Sequence, residues 1–257
     1  MTQTNTNCKI IVITSGKGGV GKTTTTANIG AGLAMKGYKV ALIDTDTGLR
    51  NLDLLLGLEN RIMYDLVDVT SGKIPYKKAL VRHKKYETLF LLPTSQTKDK
   101  LAVSPEQVVA LCSEMSADFD FILIDCPAGI EQGFKTAVAA ADIALVVTMP
   151  EISAVRDADK IIGELNRADK ENILLIVNRI RPDMVAKGEM LDLDDINDIL
   201  AIKCIGQIPD DEMVLSSTNR GEPVIANTKS QAGIAYQNIT RRLCGEDVLR
   251  RWAFARI

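Results

Sequence analysis

The chain has 257 residues, of which 46% are hydrophobic and 25% are charged, a composition typical of a folded globular protein. Lysines and arginines number 31 against 33 acids, so the formal net charge of −2 gives no overall attraction to nucleic acid or anionic lipid. Five scattered cysteines and one histidine argue against a zinc or iron–sulfur site within one chain, and no apolar run reaches the roughly 18 residues that cross a bilayer.

Short apolar runs alternate with segments of helical spacing along the whole chain. The runs are KIIVIT from Lys9, KVALID from Lys39, TLFLLP from Thr88, FILID from Phe121, IALVVT from Ile143, ILLIVN from Ile173 and CIGQIP from Cys204. Their continuous hydrophobicity is typical of a parallel sheet covered on both faces. Helices are predicted at 23–35, 105–115, 152–165, 193–199 and 234–243. The alternation predicts one doubly wound α/β domain, with a mostly parallel sheet and helices on both faces, over residues 1–247, followed by a short tail at 248–257.

The first strand leads into a glycine-rich stretch, SGKGGVGKT, at residues 15–23. This stretch matches the phosphate-loop pattern GxxxxGK[ST] in the strand-to-helix context that the pattern requires. Glycines let successive backbone N–H groups point at phosphates, and the helix N-terminus adds a partial positive charge. We expect Lys22 to bridge the β- and γ-phosphates of ATP and the Thr23 hydroxyl to hold Mg²⁺. The predicted phosphate-binding residues are Gly18, Gly19, Val20, Gly21, Lys22, Thr23 and Thr24.

Acidic residues follow two of the other strands. Asp44 and Asp46 come at the end of the second strand, where ligands bind in open α/β sheets. Capping of the next helix is the alternative interpretation of Asp46. Asp125 ends the FILID strand and is predicted, as the Walker B acid, to bind Mg²⁺ through water. The Pro-Ala-Gly sequence that follows places Gly129 where its backbone N–H can sense a γ-phosphate.

Polar residues also stand where the last two predicted strands end. Asn178 and Arg179 are placed just beyond the first of these strands, and Pro209 and Asp210 end the second. An asparagine amide can pair with the N6 and N7 edge of adenine, so these four residues are predicted to bind the base. For Asp210, a helix N-cap is an equally good interpretation. No glutamine or histidine is clearly placed as a base, so hydrolysis is expected to be slow until a partner improves the site.

Lys17 is one lysine more than the phosphate-loop pattern needs. The stretch KGGVGKT resembles the signature of the deviant Walker A (ParA/MinD) ATPases. Further segments extend the resemblance over nearly the whole chain and look like the family members that position the division site. They are GLRNLD, GLENRIMYDLVDV, LLPTSQTKDK, DCPAGIEQGF and RGEPV.

The resemblance implies a P-loop NTPase fold and an ATP-bound homodimer in which Lys17 crosses to the partner's nucleotide. It also implies that Asp44 holds a water on Mg²⁺, that Asp46 positions the attacking water and that Asn178 contacts adenine. A solvated loop lysine is the alternative interpretation of Lys17.

The same resemblance implies a switch that is cytoplasmic, or in the plastid stroma, and is peripheral on the inner membrane face in its ATP state. Its partners are a division inhibitor (MinC-like), a topological-specificity factor (MinE-like) that stimulates hydrolysis, and an anionic membrane surface. Family members usually continue here with an acidic spacer and a short amphipathic helix rich in Lys, Phe and Leu, and the tail VLRRWAFARI departs from that pattern. Placed on a helix, its apolar face includes Arg256 and leaves out Phe254, so a membrane anchor and an ordinary closing helix both stay open. The functional alternatives are a DNA-partitioning (ParA-type) ATPase, which the acidic balance disfavours, and a phosphoryl-transferring ligase.

Overall fold

The computed structural model describes residues 8–46, 51–95 and 103–248, which form one eight-stranded sheet in the order β3-β4-β2-β5-β1-β6-β7-β8. The strands are β1 Lys9–Thr14, β2 Val40–Asp44, β3 Val81–Arg82, β4 Leu89–Leu92, β5 Phe121–Asp125, β6 Ile143–Thr148, β7 Ile173–Ile180 and β8 Lys203–Pro209. All pairings are parallel except that of β3 with β4. The predicted doubly wound, mostly parallel sheet is therefore confirmed.

The helices predicted from spacing are all present. The helices of the described residues are α1 Lys22–Met35, α2 Leu52–Leu55, α3 Leu66–Thr70, α4 Tyr76–Ala79, α5 Pro105–Met115, α6 Gln132–Val138, α7 Ile152–Arg167, α8 Pro182–Ala186, α9 Leu193–Leu200, α10 Glu212–Thr218 and α11 Gln231–Leu243, with 3₁₀ turns at Glu59–Arg61 and Val224–Ala226. The helices that were not predicted (α2, α3, α4, α6, α8 and α10) have four to seven residues each. So short a segment shows too few apolar positions to establish a period.

The sheet lies between two apolar layers. In β1, Val12 belongs to the layer built with α5, α6, α7 and α9, whereas Ile11 and Ile13 belong to the layer built with α1 and α11. All three side chains are fully buried. Because both faces of the central strands are covered, these strands have no polar face, and this is why they read as continuous apolar runs.

The strand order places the carboxyl end of β1 at the centre of the molecule. From β1 the chain first builds β2 and β4 on one side and later adds β6, β7 and β8 on the other, so the winding reverses beside β1. Ligands of open α/β sheets bind at such a reversal, outside the carboxyl ends of the strands. Strand pairing sets Asp125 opposite both Ile13 and Asp44, so the residues that follow β1, β2 and β5 meet at one edge.

A buried asparagine ties α1 to the C-terminal half of the chain. Asn28 Nδ2 donates to the Thr24 carbonyl at 2.8 Å, and its Oδ1 accepts the Ile225 N–H at 2.9 Å. Replacing Asn28 with alanine leaves that buried N–H without its acceptor, so we expect the free energy of unfolding, measured in denaturant, to fall by about 2 kcal/mol. The exposed Asn166 in α7 provides a matched control, and Asn166→Ala is expected to change stability by less than about 0.5 kcal/mol. Equal losses in the two variants would contradict this role.

Parts of several predicted features lie outside the described residues. These parts are residues 48–50 of the GLRNLD segment, 96–100 of the LLPTSQTKDK segment and 249–257 of the tail. The division into a domain at 1–247 and a tail at 248–257 therefore stays a prediction. Within the described ranges, the structure contains no helix long and apolar enough to cross a membrane.

Candidate nucleotide site

The phosphate loop joins β1 to α1 and depends on its glycines for different reasons. Gly19 and Gly21 have φ angles of 78° and 100°, in the left-handed region that glycine adopts without strain. A Cβ on Gly16 would lie only 2.2 Å from the Asp157 carbonyl oxygen, so the start of the loop is pressed against α7. Gly21 is the N-cap of α1, and no side chain caps this helix. Its first N–H groups are thus available to a ligand, as in other anion sites at helix N-termini.

Lys22 is a buried cation in this loop. Its side chain is 7% exposed, and its Nζ donates to the Ser15 hydroxyl at 3.0 Å. Within the part of the chain that the structure describes, Lys22 forms no ion pair. A buried ammonium group with one neutral partner is poorly satisfied, and an anionic ligand would complete its surroundings. The environment of Lys22 therefore fits the predicted phosphate group.

Asp44 and Asp125 are buried carboxylates side by side on neighbouring strands. Burial raises the pKa of Asp125 from 3.8 to about 6, while hydrogen bonds from the Thr23 and Thr26 hydroxyls and the charge of Lys22 act in the opposite direction. Burial and then the charge of Asp125 raise the pKa of Asp44 well above its usual value. Two adjacent carboxylates that resist ionisation are relieved by a cation.

The donor set suits Mg²⁺. This ion is usually held by one or two carboxylates together with phosphate oxygens and waters, rather than by a cage of protein ligands. The described residues contain no group of three or more His, Cys, Asp or Glu side chains able to hold a metal alone. Thr26 Oγ1 donates to Asp125 Oδ1 at 3.0 Å and fixes the orientation of that carboxylate, a contact that was not predicted. Thr26 stands one turn after Lys22 in α1, so the two side chains lie on the same face of the helix, and this spacing could have predicted that Thr26 reaches the site.

Asp46 lies beside this pair. Its backbone N–H donates to Asp44 Oδ1 at 2.9 Å, and its charge is close enough to raise the pKa of Asp125. The next helix in the described residues, α2, has Asn51 as its N-cap. The geometry thus brings Asp46 to the predicted metal site, and it does not place Asp46 at the cap of α2.

The segment after β5 touches the phosphate loop. The Gly129 N–H donates to the Ser15 carbonyl at 3.3 Å, and Gly129 has a φ of 92°. The N–H that was predicted to sense a γ-phosphate is therefore held by the loop in this structure, and it must leave Ser15 to bind a ligand. Cys126 is fully buried beside Asp125, and burial raises the pKa of its thiol to about 12, so the thiol is un-ionised at neutral pH.

Lys17 turns away from its own loop. Its Nζ lies 3.3 Å from Glu151 Oε2 and 3.4 Å from Ser153 Oγ, at the start of α7, and its side chain is 40% exposed. The prediction that this side chain projects away from the bound phosphates agrees with these contacts. The two α7 contacts were not predicted, although Glu151 stands shortly after the carboxyl end of β6, as the other site acids do after their strands.

The predicted base-binding residues lie on the β7 and β8 side of β1, and the acids of β2 and β5 lie on its other side. Strand β7 runs two residues past the predicted strand end, so Asn178 and Arg179 belong to the strand rather than to the loop beyond it. The Asn178 side chain is buried, and its Nδ2 donates to the Val20 carbonyl at 2.8 Å. Arg179 is exposed and adopts a φ of 55°. The structure thus brings Asn178 to the phosphate loop.

Pro209 and Asp210 lie next to the end of β7. Pro209 pairs with Ile180, and the Asp210 N–H donates to the Ile180 carbonyl at 2.9 Å. The N-cap of α10 is Asp211, whose Oδ1 accepts the Met213 N–H at 2.9 Å, so the cap interpretation of Asp210 is wrong. Asp210 is exposed and lines a groove of about 780 Å³ together with Arg179, Glu151 and Ser153. The groove connects Arg179 and Asp210, two of the four predicted base residues, with the contacts of Lys17.

Comparison with known proteins shows which family the chain belongs to. The family described as "CobQ/CobB/MinD/ParA nucleotide binding domain" matches residues 11–224. A septum site-determining protein MinD from Bacillus subtilis is 54% identical over 93% of this chain and 90% of its own length.

Two solved structures share the whole fold. The MinC:MinD cell division protein complex of Aquifex aeolicus matches with a TM-score of 0.89 and 51% identity, covering 95% of this chain and 99% of that one. The septum site-determining MinD of Pyrococcus horikoshii, complexed with Mg-ADP, matches with a TM-score of 0.82 and 29% identity, covering 97% and 100%. The phosphate loop, the paired acids and the fold are those expected of the matched family model and relatives. The chain therefore belongs to the CobQ/CobB/MinD/ParA family of nucleotide-binding proteins and, within it, to the septum site-determining MinD group.

Proposed function

We propose that this chain is an ATP-dependent dimerising switch ATPase that positions the division site. It cycles between an ATP-bound, membrane-associated dimer and an ADP-bound soluble monomer. The observation that carries the proposal is the contrast between the two lysines of the phosphate loop. Lys22 is buried in its own loop, whereas Lys17 is half exposed and held by α7. One cation serves the chain's own nucleotide, and the other is available to a second chain.

Different residues of one chain bind the phosphates and the Mg²⁺ of ATP. Lys22 and the N–H groups of residues 18–24 bind the phosphates, and the pattern of exposed glycines leaves the backbone open to them. Thr23, Asp44 and Asp125 would hold Mg²⁺, which when bound neutralises charge on the phosphates. Asp46 orients the attacking water. Because the pKa of Asp125 is raised toward neutrality, loading with the metal also stabilises its ionised form.

Lys17 must exchange its partners when the dimer forms. Its ion pair with Glu151 is half exposed on both sides, and such pairs contribute little free energy. Moving the ammonium group to the nucleotide of a second chain therefore costs little free energy. There it acts as an arginine finger does, by stabilising charge that develops on the phosphates. Dimerisation and the presence of a γ-phosphate then depend on each other.

The base is held at the edge formed by β7 and β8. Asn178, Arg179, Pro209 and Asp210 are the residues that we assign to it. Arg179 and Asp210 line one groove with the α7 contacts of Lys17, which supports a nucleotide lying next to the dimer face. The bound nucleotide of the Pyrococcus horikoshii relative also supports this use of the fold.

The proposed partners are a second copy of the chain, a MinC-like division inhibitor, a MinE-like factor that stimulates hydrolysis, and an anionic membrane. The complex of Aquifex aeolicus MinD with MinC supports the inhibitor as a partner. In the ATP state we place the protein on the inner face of the membrane, and in the ADP state in the cytoplasm or plastid stroma. A DNA-partitioning role is less supported, because the relative that is 54% identical is a MinD, and nucleic acid is not expected to bind.

Asp46→Ala separates ATP binding from hydrolysis. Asp46 contributes to the site by its position beside Asp44, and we assign no phosphate contact to it. We expect the variant to bind ATP within about threefold of the unchanged chain and to lose about 10²-fold or more in turnover, because the attacking water is no longer positioned. It should therefore accumulate as an ATP-bound dimer. An unchanged turnover rate would remove Asp46 from the mechanism.

The proposed function is tested by co-sedimentation of the full chain with anionic liposomes, comparing a slowly hydrolysed ATP analogue with ADP. We expect pelleting with the analogue only, because two weakly binding tails in one dimer bind where a single tail does not. Addition of duplex DNA in place of liposomes tests the ParA-type alternative. Analogue-dependent, strongly salt-dependent binding to DNA, without binding to liposomes, would favour that alternative.

A further inference from the structure

Asn178 makes a contact that base recognition does not require. Its side chain is 6% exposed, and its Nδ2 donates to the backbone carbonyl of Val20 at 2.8 Å. Val20 belongs to the phosphate loop, whereas Asn178 stands near the end of β7. The hydrogen bond thus joins a strand on the base side of the site directly to the loop on its phosphate side.

The contact is tight on the loop side. A Cβ on Gly21 would lie 2.3 Å from Asn178 Nδ2, a distance at which one of the two groups must move. Gly21 also has a φ of 100°, which few other residues adopt. A side chain at position 21 would therefore displace the Asn178 amide, the loop or both.

The strand is distorted where it meets the loop. The pairing of β7 with β8 shifts register between Val177 and Ile180, which includes Asn178 and Arg179. Arg179 adopts a φ of 55°, in the left-handed region that is uncommon for a residue with a side chain. Irregularities of this kind re-aim side chains at the edge of a site. Here the side chain that reaches the loop is Asn178.

The loop also fixes the orientation of the amide. A carbonyl oxygen accepts hydrogen bonds and donates none, so the Val20 oxygen selects the NH₂ end of Asn178 and leaves Oδ1 on the other side. Among residues 8–46, 51–95 and 103–248, no hydrogen bond to Oδ1 is found. The amide can therefore offer a ligand an acceptor. The N6 amine of adenine donates to an acceptor, whereas the O6 atom of guanine accepts.

We propose that Asn178 is a positioning residue of the phosphate loop: it holds the Val20–Gly21 peptide in its phosphate-binding form, and in return the loop orients Oδ1 to accept from the base. Loop geometry and base selection then depend on one side chain. The proposal rests on the proposed nucleotide-binding function of the loop. It predicts an effect of Asn178 on ligands that have no base.

The test compares Mg·ATP with Mg·tripolyphosphate, which carries the phosphates without base or sugar. Their affinities are measured by calorimetry for the full chain, for Asn178→Leu, which fills the space without a donor, and for Asn178→Ala. We expect tripolyphosphate to bind about tenfold more weakly to both variants, the effect of a buried acceptor that loses its donor, and ATP to lose more affinity than tripolyphosphate because its base contact is removed as well. Hydrogen exchange of the loop amides at 18–23 should accelerate, while that of β1 stays unchanged.

Asn172→Ala is the matched control. Asn172 is an exposed asparagine just before β7, at the opposite edge of the sheet, and its Nδ2 lies 3.5 Å from the Asp142 carbonyl. This variant should bind both ligands as the unchanged chain does. Thermal unfolding of every variant identifies any that has lost its fold. If one of the two Asn178 variants is unfolded, the binding measurements are made on the other.

Tripolyphosphate binding that is unchanged in the Asn178 variants, with a loss confined to ATP, would overturn the proposal, because Asn178 would then contact only the base. Unaltered exchange of the loop amides would do the same. An unchanged chain that binds neither ligand would instead refute the proposed nucleotide function. The two failures are therefore distinguishable.

Discussion

Asp125→Asn is expected to stabilise the nucleotide-free protein while it removes Mg²⁺-dependent ATP hydrolysis. Burial raises the pKa of Asp125 from 3.8 to about 6, so the ionised carboxylate is unfavourable in the empty site. A shift of this size corresponds to about 3 kcal/mol between the two protonation states. Asparagine removes the charge and keeps the oxygen that accepts from Thr26. We expect a gain of about 2 kcal/mol at neutral pH, less than the full shift because asparagine has only one acceptor oxygen for the Thr23 and Thr26 hydroxyls.

The pH dependence of this gain has a definite sign. Because the pKa of Asp125 is higher in the folded than in the unfolded state, the folded protein binds the proton more tightly. The contribution of Asp125 to stability is therefore complete below about pH 4 and is lost as the pH rises through about 6. The advantage of Asp125→Asn over the unchanged chain should grow across this window and level off above it.

Two measurements on the same variant check both halves of this expectation. Denaturant unfolding without nucleotide or Mg²⁺, from about pH 4 to pH 8, follows the stability, and hydrolysis with Mg·ATP should fall by about 10²-fold or more. Asp198→Asn, an exposed acid in α9, is the matched control and should change neither quantity. A variant less stable than the unchanged chain at neutral pH, or one that hydrolyses ATP at the original rate, would contradict the role of Asp125.

The sequence could predict those site residues whose positions follow from the order of the strands along the chain. Asp44 and Asp125 end recognisable apolar strands and Lys22 follows one, and parallel strands bring their carboxyl ends to one edge. What could not be predicted is which side chains satisfy them. The bond of Lys22 to Ser15 depends on loop conformation, and that of Lys17 to Glu151 joins residues 134 positions apart. No spacing rule relates such pairs.

The same distinction applies to the fold. Long helices such as α5 and α7 show their period in the sequence, and their bounds were predicted to within two residues. Strand β3 has two residues, too few to show an alternation, and it exists because it pairs antiparallel with β4 at the sheet edge. Its formation depends on a partner strand rather than on its own composition.

Lys17→Ala is expected to abolish ATP-dependent dimerisation and to reduce partner-stimulated hydrolysis by about 10³-fold, the effect of removing an arginine finger supplied by a second chain. Binding of ATP to the monomer should change by less than about threefold, because Lys17 contacts Glu151 and Ser153 rather than its own loop. Lys160→Ala is the control. It removes the ion pair between Lys160 and Asp157 within α7, and we expect no effect on dimerisation. Stimulated hydrolysis that survives in Lys17→Ala would contradict the role in the second chain.

Mixing two inactive variants decides which nucleotide Lys17 serves. A chain with Lys17→Ala keeps Asp46, and a chain with Asp46→Asn keeps Lys17. If Lys17 acts on the partner's nucleotide, a mixed dimer contains one complete site and regains hydrolysis. If Lys17 acts on its own nucleotide, each chain lacks a needed group and the mixture stays inactive.

The central claim is that the γ-phosphate controls association of two chains, and the mass of the unchanged protein in solution tests it most directly. Analytical ultracentrifugation is carried out at one protein concentration with Mg²⁺ and either a slowly hydrolysed ATP analogue or ADP. We predict the mass of two chains with the analogue and of one chain with ADP. The same mass with both nucleotides would contradict the account.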